Sequence, residues 1–134
     1  MKLVRKLALM ALIGWVGSAM SAEVGVTDSA VTLGMSSPFS GPNGAYGQDM
    51  KNVITAYFDQ INKAGGVNGR QIDLVALDDG YETDRTVANS KKLIDESKVF
   101  ALLQYYGSSP TTKAMNDVFG PAKVPLVGTI SGAG

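Results

Sequence analysis

The stretch Val99-Phe-Ala-Leu-Leu-Gln-Tyr-Tyr-Gly-Ser-Ser-Pro110 decides how the chain is read. Its first half is apolar enough for a buried strand from about Phe100 to Tyr105, and its character changes at Gly107. Pro110 has no N–H to lose and a fixed φ suited to a first helical turn. Ser109 is therefore expected as N-cap and Pro110 as the first residue of a helix reaching Phe119. Ser108 and the first free amides would then point out of the helix start. Unpaired N–H groups and a positive dipole end, flanked by hydroxyls, suit a carboxylate or another small anion. Gly107, Ser108 and Ser109 become candidate ligand-binding residues on this ground, although helix capping alone would also account for Ser109.

Upstream, the same change from strand to helix recurs. Ala30 to Met35 is β-branched and apolar, a first strand. Ser36 to Gly44 then holds two prolines, two glycines and three serines in nine residues, a loop longer than the two to six residues usual at such a junction. From Gly47 to Ala64 the residues Met50, Val53, Ile54, Tyr57, Phe58, Ile61 and Ala64 recur at helical spacing, and Gly65-Gly66 ends the helix. A second strand, Gln71 to Leu77, stops at Asp78-Asp79-Gly80. A helix follows from about Thr83 to Glu96, with Thr83 or Asp84 as its cap and Val87, Leu93 and Ile94 on one side.

Downstream of Pro110, Ala114, Met115, Val118 and Phe119 are expected to face the sheet, and Val124 to Gly128 forms a fourth strand with Pro125 near its start. This alternation predicts an α/β fold: a parallel sheet with right-handed crossovers and helices on both faces. In such sheets ligands sit outside the carboxyl ends of the strands, where strand order reverses. Three loops meet there, 36–46, 107–109 and 129–133. Phe39, Tyr46, Tyr105 and Tyr106 are candidates either for a pocket lining or for core, and Tyr81 is expected at the surface.

The N-terminus has the zones of a secretory signal peptide. Lys2, Arg5 and Lys6 form a basic start, Leu7 to Val16 an apolar middle, and Gly17 to Ala22 a small-residue end. Ala19-Met20-Ser21 fits a small-x-small cleavage rule best, with cleavage after Ala22 the near alternative. The apolar run from Leu7 to Met20 has 14 residues, short of the roughly 20 that a spanning helix needs. Residues 1–21 are thus expected to be removed, leaving residues 22–134 as an exported product.

That product carries 9 basic and 12 acidic residues, net −3, with no basic stripe to suit nucleic acid. The chain has no cysteine, so no disulfide holds it, and no histidine; the usual general base, thiol nucleophile and soft metal ligands are lacking. An enzyme is not expected, and no cofactor is called for. Asp78 and Asp79 could hold Mg²⁺, yet no third carboxylate or catalytic lysine is placed with them, and loop bracing by Asp side chains explains them better. The glycines of Gly65-Gly-Val-Asn-Gly69 follow a helix rather than a strand, which removes a dinucleotide reading.

Together, Ser37-Pro-Phe-Ser-Gly-Pro42, Tyr46-Gly-Gln48, Ile61-Asn-Lys-Ala-Gly-Gly-Val-Asn-Gly-Arg70, Leu77-Asp-Asp79, Lys91-Lys-Leu-Ile94 and Val124-Pro-Leu126 resemble periplasmic substrate-binding proteins of ABC transporters, of the leucine/isoleucine/valine-binding type. The resemblance runs from about residue 30 to residue 134. It implies the N-terminal lobe of a two-lobed type I periplasmic binding fold that takes an amino acid or related small carboxylate and delivers it to an inner-membrane permease. By the same resemblance Ser108 holds the ligand carboxylate. Residues 129–133 match the segment that holds the ligand ammonium, with Ser131 as the hydroxyl and Gly132 beside it. Family members often carry a threonine after two alanines there, where this chain has Ile130-Ser-Gly-Ala133. The second lobe and its acidic partner for the ammonium lie outside these 134 residues, so the chain reads as the N-terminal portion of a member. A ligand-sensing module of a receptor or regulator, built on the same lobe, is the alternative.

Overall fold

The computed structural model describes residues 23–131. The leader read at residues 1–21 and the candidate Gly132 lie outside them. Four strands, β1 (Ala30–Ser37), β2 (Gln71–Asp78), β3 (Ala101–Tyr106) and β4 (Leu126–Ile130), alternate with the helices α1 (Gly44–Lys63), α2 (Thr83–Asp95) and α3 (Ser108–Ala114). The strands form one parallel sheet in the order β2-β1-β3-β4. The chain steps to one side of β1 through α1 and to the other through α2. With crossovers of one hand, these two helices must cover opposite faces.

On the α2–α3 face, Leu93, Val99, Leu102, Tyr105, Ala114 and Phe119 form the buried core. Burying each large side chain here is worth about 1.5–3 kcal/mol. Among the described residues the other face carries α1 alone, seated beside β2. Its apolar stripe has the helical spacing read from the sequence, yet Val53 and Tyr57 are 66 % and 61 % exposed. Between α1 and the β3–β4 half of the sheet runs an open apolar groove of about 520 Å³, bordered by Ile54, Phe58, Leu103 and Val127.

Several boundaries differ from expectation. α3 begins at Ser108, with Gly107 as the flanking residue, so Ser109 is the second helical residue and makes no side-chain cap bond. Gly107 takes φ +91°, a conformation open to glycine, and this starts the helix two residues earlier than Pro110 would have. The expected single helix to Phe119 widens into a π-helical turn over Met115–Phe119. The Gly120 N–H reaches the Met115 carbonyl, and Met115 rotates outward to 45 % exposure. Glu82, not Thr83 or Asp84, precedes α2, again without a side-chain cap. β4 starts after Pro125, whose carbonyl accepts from the Leu102 N–H.

Candidate functional site

The carboxyl ends of β1, β2, β3 and β4 carry the segments that the sequence singled out. Strand alternation places every second side chain on one face, so Leu102 and Tyr105, three apart, should point opposite ways. Both are fully buried in the same core. The cause is Gln104, which takes φ +55° inside β3 opposite Gly128 at φ +67° in β4. Pairing keeps its register across this step, from Leu103↔Val127 to Tyr105↔Thr129. Both strands therefore kink together, and the side-chain phase of β3 resets. The Gln104 carbonyl, turned aside, accepts from Ser37 Oγ at 2.7 Å.

This reset assigns the two adjacent tyrosines to different environments. Tyr105 packs edge-on against Phe119 and its hydroxyl meets Ser90 Oγ at 2.9 Å; burial pushes its phenol well above the usual range, against the Ser90 hydrogen bond and with the Asp79 charge. It belongs to the core. Tyr106 instead turns to Tyr46 at the start of α1, with ring centroids 4.7 Å apart, and to Tyr81, 5.4 Å away and edge-on. Tyr81 was expected merely at the surface; it is 45 % exposed but lies against Gly107, where a Cβ would stand 2.5 Å from its ring. Only the residue type hinted at this contact. Phe39 lies apart from the three tyrosines, its ring beneath the Lys51 ammonium at 4.9 Å.

One residue past Gly107, Ser108 Oγ and Ser131 Oγ hydrogen-bond to each other. Two hydroxyls read from separate loops thus meet at the ends of β3 and β4, and both residues are exposed. Ser109, also exposed, borders a shallow depression with Ser108, Thr112 and Lys113.

Asp78 and Asp79 brace these loops. Asp78 Oδ1 accepts from the Phe39 and Gly80 N–H groups at 2.7 and 2.9 Å, and Oδ2 from Ser40 Oγ and Arg85 Nη2 at 2.6 and 3.0 Å. Burial pushes its carboxyl up, but these four donors outweigh that and hold it well below the usual carboxylate range. Asp79, 1 % exposed, accepts from Ser36 Oγ at 2.8 Å, Thr86 Oγ1 at 3.2 Å and the Tyr81 N–H at 2.9 Å. With their oxygens so engaged the pair is a structural fixture. Among the described residues no group of three or more Asp or Glu side chains could hold a metal ion.

A family model described as periplasmic binding protein matches residues 30–134. The chain belongs to the periplasmic binding protein family. It is 33 % identical over 104 residues to an amino acid binding protein of Pseudomonas aeruginosa, covering 75 % of this chain and 28 % of that one. The substrate binding protein of a branched-chain amino acid transporter from Streptococcus pneumoniae, solved with isoleucine, superposes with a TM-score of 0.69 at 32 % identity, over 77 % of this chain and 28 % of its own. A solute binding protein of an ABC transporter from Rhodopseudomonas palustris, solved with 3,4-dihydroxybenzoic acid, does so with a TM-score of 0.65 at 27 % identity, over 75 % and 27 %. The chain thus spans a little over a quarter of the length of these relatives. The lobe found here is that of a type I periplasmic binding protein.

Proposed function

We propose that the chain supplies the first lobe of a solute-binding component of an ABC importer. It captures an amino acid of the branched-chain type or a related small carboxylate in the periplasm, for delivery to an inner-membrane permease. Residues 1–21 serve as the export signal, and the chain performs no catalysis. The observation that carries this reading is the meeting of Ser108 and Ser131 at the strand ends, in a chain of this family. Two hydroxyls that satisfy each other can exchange that bond for charge-assisted bonds to a solute carboxylate, each worth about 1.5–3 kcal/mol. The relatives support the chemical class: one holds isoleucine and another an aromatic acid, both carboxylates.

Gly107, Ser108, Ser109 and Ser131 form the polar side of the proposed site, and Tyr106 and Tyr46 its apolar side, with Phe39 apart from them beneath Lys51. One lobe makes only part of a solute's contacts, so millimolar affinity, about 4 kcal/mol, is the scale expected of it. Titration with L-isoleucine and other carboxylates, followed by amide NMR shifts, tests the reading. Ser108→Ala should weaken binding by about 1.5–3 kcal/mol, the worth of one charge-assisted bond, while leaving the fold in place.

A further inference from the structure

We propose that Tyr81 is a specificity-determining residue of the solute site, forming with Tyr46 and Tyr106 an aromatic wall that selects a carboxylate bearing an aromatic ring over one bearing a branched aliphatic chain. This rests on the solute-binding reading and names its substrate class.

The three rings come from three separate segments and form one continuous array. Tyr106 stands between Tyr46, tilted at 45°, and Tyr81, edge-on at 63°. Tyr46 and Tyr81 remain 38 % and 45 % exposed, so ring surface stays open, and Tyr81 lies against Gly107, the residue next to Ser108 in the chain. An aromatic solute gains ring-to-ring attraction there beyond the area it buries; an aliphatic one gains area alone. The phenol hydroxyls can also donate to or accept from polar substituents on a solute ring.

Tyr81 is held in this position by its backbone. It takes φ +68°, a conformation that costs a bulky residue strain, and the buried Asp79 carboxylate retains it by accepting its N–H at 2.9 Å. Gly107 has no side chain, and the Tyr81 ring packs so close that a Cβ there would stand 2.5 Å from it. A ring so fixed presents a preformed surface, and a solute loses little in ordering it.

The test compares L-phenylalanine with L-isoleucine, which share their α-amino and α-carboxylate groups, by amide-shift titration of the whole chain and of Tyr81→Leu and Tyr81→Phe. The wall predicts about fivefold to tenfold tighter binding of L-phenylalanine, the size of one or two ring contacts. It also predicts loss of that preference in Tyr81→Leu with isoleucine affinity within about twofold, and retention of the preference in Tyr81→Phe. A third probe, 4-hydroxybenzoate, separates an aromatic acid from an aromatic amino acid as the favoured solute; either result supports the wall. Equal affinity for phenylalanine and isoleucine, or an equal loss of both in Tyr81→Leu, overturns this inference and leaves solute binding standing. Binding of none of the probes overturns the solute-binding reading and this inference with it. Should Tyr81→Leu lose its folded spectrum, the preference of the unaltered chain and of Tyr81→Phe decides.

Discussion

Asp78 and Asp79 are adjacent and identical in type, yet they brace different segments. Asp78 ties the loop after β1 to the end of β2, and Asp79 ties β1, α2 and the Tyr81 turn together. The donors around Asp78 stabilise its ionised form, so its contribution to stability is full above the ordinary carboxylate range. It is lost as pH falls below that range toward the depressed folded value. Asp78→Asn should therefore cost about 1–3 kcal/mol near pH 7, from weakened bonds to a charged group, and progressively less as pH is lowered from about 4 toward 2. Urea titrations of both proteins across that range check this. A difference that does not change with pH would place the stabilisation elsewhere. The sequence showed the Asp pair at a strand end and its bracing role; it could not show which carboxylate holds which loop, because the donors lie up to 43 residues away.

At the scale of elements, the paired kink in β3 and β4 sets the geometry of the site. Hydrophobic pattern and turn residues placed all four strands and three helices, although the start of α3 was expected at Pro110 and lies at Ser108. The kink escaped because it depends on two positive-φ residues meeting across a strand pair, Gln104 and Gly128, and glutamine gives no local signal for such a conformation. Gly128 within an apparent strand was the one visible sign. That omission left Tyr105 and Tyr106 undivided between core and site, and left Tyr81 without a contact. A Cβ at Gly128 would stand 3.0 Å from Gln104 Oε1 as well as straining the backbone. Gly128→Ala should accordingly destabilise the fold by roughly 1–2 kcal/mol, the cost of a non-glycine residue in the left-handed region. Chemical denaturation measures it. An unchanged or raised midpoint would mean that the kink is not fixed by Gly128.

Over the whole molecule, one sheet face carries a closed core and the other is half covered. The periodicity of α1 correctly gave a helix with an apolar stripe, but the stripe could not report whether a partner would cover it. Val53 and Tyr57 stand beside the groove along β3 and β4, and no helix of the described residues covers them. Apolar surface of this kind binds hydrophobic dyes. The chain should enhance anilinonaphthalene sulfonate fluorescence while keeping a cooperative thermal transition, and Val53→Lys should reduce the enhancement about twofold or more by charging the middle of the patch. Dye binding unaffected by Val53→Lys would locate the exposed apolar surface elsewhere.

The central claim is that the Ser108–Ser131 pair at the ends of β3 and β4 receives the carboxylate of a small solute. Amide-shift mapping on the whole chain, titrated with millimolar L-isoleucine and L-phenylalanine, tests it most directly. The account predicts saturable shifts concentrated at Gly107, Ser108, Ser109 and Ser131 and extending to Tyr106, with Ser108→Ala weakening binding about tenfold or more, as the loss of one charge-assisted bond requires. Saturable shifts confined to the α1 groove, or shifts at the serines that Ser108→Ala leaves unchanged, would contradict it.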